Sequence, residues 1–182
     1  MDANPVLKPK LATPALVLTS VALSMCVAYL LWTTAASWPS TLLFQATALA
    51  ALLTTTIAGG VWLARLRRLR IWTAAANEKW NRFDEAKLAH RTTAEVTVLS
   101  VDSLQPTGSW ITIRWNRFEH IQRAWIEALP DPIWPGSILL IAPDPAQVMP
   151  GKPWPVTYQI KALDCLAWAP GSVAQSMPRP YC

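Results

Sequence analysis

The chain is poor in the residues from which catalytic and metal sites are usually built. Its 182 residues include two histidines, three cysteines and six glycines. His90 and His120 lie far apart, and Cys26, Cys165 and Cys182 show no CxxC or other ligand spacing, which excludes a zinc finger, a zinc ribbon and a disulfide framework. Reduced thiols in a cytoplasmic compartment are the simplest reading. No glycine-rich phosphate loop is present, and neither GxSxG nor HExxH occurs. Glu119, Glu127, Asp131 and Asp144 fall on separate predicted elements, so no carboxylate pair is in view. Cys165 would need His120 beside it to act as a nucleophile, and a small buried thiol is the plainer reading. The expectation is a non-enzymatic protein with no catalytic residue, no cofactor and no metal.

Charge is scarce as well. Asp, Glu, Lys and Arg make up 15% of the chain, where a soluble domain carries about 25%, and 52% of the residues are hydrophobic. The net charge of +5 is concentrated in residues 65–91, which hold eight basic and three acidic groups. Residues 92–182 hold six basic and seven acidic groups. Nucleic-acid binding needs a basic surface on the binding domain itself, and the near-neutral C-terminal part argues against it. An OB-like face carrying Trp110, Arg114 and Arg117 is the form that such binding would take.

What is present in quantity is apolar sequence. Residues 11–32 carry no charge and, at 1.5 Å per residue, would reach about 33 Å as a helix, enough to cross a hydrocarbon core of about 30 Å. Pro14 falls in the first turn, where a missing N–H is tolerated. A cleaved signal peptide ending near Thr34-Ala35-Ala36 is the competing reading, but its apolar region would be only about 7–15 residues long. Residues 41–64 form a second uncharged run. Between the two lies a short neutral turn with Trp38-Pro39. Residues 1–10 read as a flexible leader. Basic residues flank both outer ends of this hairpin, so it is expected to sit in a bacterial inner membrane with both termini cytoplasmic.

Arg65, Arg67, Arg68 and Arg70 mark the exit from the second span. They are either a topology signal alone or a site for anionic lipid headgroups. Trp38, Trp62 and Trp72 are the expected interface anchors. Gly59-Gly60 either admits a second helix closely or is simply tolerated in an apolar helix. Beyond the arginines, Leu69, Trp72, Ala76, Trp80 and Phe83 recur at helical spacing and predict an amphipathic stalk through residue 91. Such a stripe packs on the chain's own domain, on a second copy or on a partner. Trp80 and Phe83 are therefore candidate contact residues.

From Thr93 the period changes to two. Residues 94–101 and 110–115 read as strands. Residues 118–129 fit either a strand or a helix, and the strand is preferred. Residues 137–142 form a short apolar strand, and residues 143–155 are too rich in proline for regular structure. Val156, Tyr158, Ile160 and Ala162 alternate again, and residues 169–182 look like an extended tail. The expected architecture is an α+β membrane protein. It comprises a two-helix transmembrane hairpin, a second helix extended into a cytoplasmic stalk, and a small all-β, barrel-like domain over residues 93–168. Trp134 and Trp154 lie in proline-rich segments. Either they form a contact surface or loops fold back over them.

Residues 136–145, GSILLIAPDP, together with the strands before them, resemble an uncharacterised group of bacterial membrane proteins. In that group a glycine opens a strand that ends in Tyr-Asp-Pro, in an OB- or SH3-like β-domain tethered by membrane spans. Gly136, Ile141, Asp144 and Pro145 match in spacing, and Pro143 stands in place of the tyrosine. The similarity covers residues 93–146, and in architecture the chain also resembles the membrane-tethered barrels of the NfeD type. The resemblance implies a barrel fold and a non-enzymatic role. The function expected is that of an accessory subunit of a membrane assembly such as secretion or conjugation machinery, a transporter or a membrane protease. A self-associating or lipid-organising scaffold is the alternative. The expected partners are membrane lipid and either a larger complex or a second copy.

Overall fold

The structure is a computed structural model that describes residues 4–36, 41–149, 151 and 153–174. Two long helices come first. Helix α1, Pro14–Ala36, starts where the sequence provides a cap: the Thr13 hydroxyl accepts the Leu16 N–H, and Pro14 takes the first helical position. Helix α2 is Thr41–Ala89. Both are long and apolar enough to cross a membrane, with none of their most apolar stretch buried inside the protein.

The chain forms two compact units, residues 9–71 and residues 1–8 with 72–182. In the first, α1 meets α2 along a seam where Thr19, Ser20, Thr54 and Ala58 mix with Leu16, Leu23, Ile57 and Val61. Ser20 accepts the Trp62 indole N–H at 3.2 Å. Small side chains let two apolar helices approach closely. The hydroxyls of Thr54, Thr55 and Thr56 turn back onto carbonyls in their own helix, which leaves few polar atoms unsatisfied.

The second unit is a six-stranded mixed sheet in the order β5-β3-β2-β1-β4-β6. The strands are β1 Ala94–Gln105, β2 Gly108–Trp115, β3 His120–Glu127, β4 Ser137–Ile141, β5 Thr157–Ile160 and β6 Cys165–Pro170. The ambiguous residues 118–129 thus hold a turn and a strand. All neighbours are antiparallel except β3 and β5. The expected barrel is not closed, because β5 and β6 are the two edges of the sheet. Only residues 161–164 link those edges. Five Cα steps reach at most about 18 Å, whereas six flat strands would hold their edges about 24 Å apart. The sheet must therefore curl. Two register shifts in β1, at Val98/Ser100 and Val101/Ser103, supply local twist for this.

Alternation along the strands sends side chains to two cores. On the concave face Val96, Val98, Ile111, Ile113, Trp115, Ala124, Ile126, Leu139, Ile141, Tyr158 and Ile160 are buried together. On the other face Ile138, Leu140 and Ala169 pack against Ala76, Trp80 and Phe83 of α2. Strand β4 is buried on both faces, as its uninterrupted apolar sequence predicts. Val156, expected on the inner face beside Tyr158, is instead 93% exposed just before β5. The tail expected from residue 169 begins with the end of β6 and a short helix, Gly171–Ala174. The leader expected to be mobile docks on this unit. Val6 is buried, its carbonyl accepts the Ser172 hydroxyl, and the Pro5 carbonyl accepts the Trp72 indole N–H at 2.8 Å.

One side-chain cluster ties the helix, the β3–β4 loop and β6 together. Asp131 Oδ2 accepts from Lys79 at 3.1 Å and from the Trp168 indole at 3.0 Å, and the Lys79 ammonium lies 3.4 Å from the Trp168 ring centroid. The Lys79 bond, then the Trp168 bond, holds the Asp131 carboxyl below its ordinary value of 3.8. A carboxylate whose folded pKa is depressed adds stability above its unfolded value, and that contribution is lost as pH falls through the lower folded value. Asp131→Asn should therefore destabilise this unit at neutral pH by no more than about 1 kcal/mol, since the pair is half exposed. Melting wild type and variant side by side should show the gap shrinking below about pH 4. A gap unchanged at lower pH would mean that the carboxylate charge is not involved.

Candidate functional site: an aromatic cleft

The β2–β3 hairpin and the proline-rich segment after β4 enclose a cleft of about 660 Å³. Trp115, Phe118, Trp154, Pro143, Pro145 and Val148 form its apolar walls. Trp154 is the centre of the group. Its ring lies 5.2 Å from Trp115, 5.6 Å from Phe118, and 4.7 Å from His120 in a stacked arrangement. These separations are those of ordinary aromatic packing. Phe118 remains 59% exposed at the rim. Trp115 is 2% exposed, and its buried indole N–H has no acceptor among the described residues.

The local sequence explains the arrangement. Trp115 ends β2 on the concave face, and residues 116–119 turn back tightly enough to require the left-handed backbone of Glu119, φ 52°. This turn holds Phe118 outside the sheet. On the opposite wall Asp144 organises residues 144–148. Its carboxylate accepts from the Ala146 N–H and the Gln147 side chain, which lowers its pKa in that order of importance. The Tyr158 hydroxyl accepts the Asp144 N–H at 2.9 Å, and burial is the main cause of that phenol's raised pKa. At the rim, Lys87 pairs with Glu95 at 2.9 Å, and Arg117 is exposed above the Phe118 ring.

The residues singled out from the sequence scatter over the molecule. Arg67, Arg68 and Arg70 are exposed on α2. Arg65 is half-buried and donates to the Leu11 carbonyl and the Thr13 hydroxyl, both at 3.4 Å. Trp62 and Trp72 spend their N–H groups on Ser20 and Pro5, and Trp38 lies outside the described residues. Trp80 and Phe83, candidates for a partner or self contact, are instead core residues at 7% and 0% exposure. The sheet's own apolar face covers the stripe, so no second chain is needed to bury it. Trp134 and Trp154 are both half-buried, in different clefts. Trp134 lines one of about 570 Å³ with Val101, Leu129 and Ile133.

Trp110 and Arg123 stack at 4.8 Å on the open sheet face, where Asp102 offsets the arginine. Arg114 is on the same face, whereas Arg117 is in the hairpin turn beside the cleft. No group of three or more potential metal ligands occurs among the described residues. Burial pushes the Cys165 thiol up to about 11, consistent with an inert packing residue. Sequence alone does not group Phe118 with the cleft, or His120 with the ring it stacks on, because Trp154 reaches them across more than thirty residues. No family model, curated protein or solved structure matches this chain.

Proposed function

We propose that the protein is a non-enzymatic, membrane-anchored adaptor subunit, set in a bacterial inner membrane with both termini cytoplasmic. Its two apolar helices would be the anchor and its curled sheet the domain that docks on a larger membrane assembly. The observation that carries this reading is the aromatic cleft, an apolar concavity around Trp154 with Phe118 left open to solvent at its rim. Clefts with aromatic anchors and a polar rim are the usual form of a peptide or protein contact. The exposed apolar surface of both helices, including Leu18, Met25, Leu52 and Ile57, supports the anchoring half.

The test is purification from native membranes in mild detergent, comparing wild type with Phe118→Glu. That substitution changes an exposed rim residue and leaves the core intact. A companion protein in constant ratio with wild type, lost from the variant, is the expected result. A homo-oligomer carrying only lipid would overturn the adaptor reading in favour of a scaffold.

A further inference from the structure

The outer edge of β5 is occupied by a side chain. Strand β5 pairs with β3 through one edge, and at Gln159 both backbone groups turn to the other. The Gln159 N–H donates to Gln147 Oε1 at 2.7 Å, and the Gln159 carbonyl accepts from Gln147 Nε2 at 3.0 Å. A hydrogen-bonded residue pair in an antiparallel ladder exchanges the same two bonds. Here a primary amide takes the place of a strand.

Gln147 is held in position for this. Its Nε2 also donates to Asp144 Oδ2, and the N–H groups of Gln147 and Val148 close a turn onto the Asp144 carbonyl at 3.0 and 3.1 Å. Tyr158 fixes the start of that turn through its hydroxyl. The edge is thus capped by a built element rather than by a side chain that happens to lie across it.

We propose that the outer edge of β5 is a homotypic strand-pairing site, which Gln147 closes in the single chain. Two copies would pair β5 to β5, antiparallel about Gln159. The sequence suits this register. Gln159 would oppose Gln159, Tyr158 would oppose Ile160, and Lys161 would oppose Thr157, so no like charges meet. A two-fold contact requires such self-complementarity. Val156 and Leu163 flank the edge at 93% and 91% exposure, and a second copy would bring apolar surface to them. An uncapped edge strand is a ready template for another chain. The edge shares the turn at residues 144–148 with the Trp154 cleft, but the proposal does not depend on the adaptor reading.

The test uses the full-length chain in detergent, with mass measured by light scattering across a concentration series. Gln147→Ala should raise the dimer association constant by about tenfold or more, since it frees two backbone groups that the cap had satisfied. Adding Gln159→Pro should restore the wild-type mass distribution. It removes the outward N–H and spares the pairing with β3, a position where an edge strand tolerates proline. Gln147→Glu, whose carboxylate would face Asp144 Oδ2 and the Gln159 carbonyl without a proton to donate, should raise the association constant as Gln147→Ala does. An unchanged mass in Gln147→Ala would overturn the proposal, and so would a dimer that survives Gln159→Pro.

Discussion

Phe83→Ala should cost about 3–5 kcal/mol of stability in the sheet-bearing unit, the range for truncating a fully buried aromatic. Phe83 has no exposed surface and lies 5.1 Å from the Trp80 ring, between α2 and the outer face of β4 and β6. Its loss would open a cavity at the seam where the helix meets the sheet. Neighbouring Trp80 donates its indole N–H to the Pro170 carbonyl, so relaxation into that cavity is restricted. The expected result is a much lower denaturant midpoint, read from the combined tryptophan emission of the chain. Phe83→Leu should recover most of the loss, because leucine refills much of the volume. A residue held for a partner would behave differently. Its replacement would move stability by about 0.5 kcal/mol or less and would instead release the companion. That second pattern would contradict the packing described here.

The parts of this fold that could be read in the sequence are those governed by local period. The helical stripe of Ala76, Trp80 and Phe83, the alternation of Ile111, Ile113 and Trp115, and the unbroken apolar run of β4 each follow from the geometry of one element. The expected span over residues 11–32 missed the start of α1 by three residues, because the apolar run begins before the Thr13-Pro14 cap that opens the helix. What covers each element was not legible. A stripe of Trp and Phe has the same spacing whether a sheet or another molecule lies against it, which is why Trp80 and Phe83 were open to a partner reading. The cleft was half legible. Trp154 stands out beside its prolines, but its neighbours Trp115, Phe118 and His120 come from the β2–β3 hairpin, more than thirty residues earlier in the chain. Gln147 carried no signal at all, since an isolated glutamine in a loop gives no hint that its amide completes a strand edge. The same is true of Val6, which is buried by residues far along the chain.

Curling the sheet connects these long-range features. Bringing β5 within reach of β6 gives Tyr158 and Ile160 a place in the concave core and places the segment after β4 beside β5. In that position Asp144 meets Tyr158, and Gln147 meets Gln159. Pro143, Pro145 and Val148 then form a cleft wall facing Phe118. Cleft and capped edge are therefore built from one short turn. Weakening the turn at Asp144 would disturb both, and Gln147→Ala also removes one bond to Asp144, whereas Phe118→Glu addresses only the cleft.

Neutralising Arg67, Arg68 and Arg70 together should disrupt the orientation of the hairpin, while neutralising Arg65 alone should not. All four lie in one stretch of α2, but their surroundings differ. Arg67, Arg68 and Arg70 are exposed, placed to act as a topology signal or to meet anionic headgroups at about 1 kcal/mol each. Arg65 reaches the N-terminal end of α1, donating to the Leu11 carbonyl and the Thr13 hydroxyl. It therefore joins the two helices through two long contacts, and Arg65→Gln should lower hairpin stability by no more than about 1 kcal/mol while leaving topology intact. A C-terminal reporter active only outside the cytoplasm should stay silent in wild type and in Arg65→Gln. It should become active in a fraction of molecules when the other three arginines are glutamine, because residues 65–91 would then keep five basic against three acidic groups and the positive bias toward the proposed cytoplasmic side would be much reduced. A silent reporter in the triple variant, with anionic lipid lost on purification, would assign those arginines to headgroup binding instead. An active reporter in wild type would reverse the proposed orientation and put the sheet, its cleft and the β5 edge outside the cytoplasm.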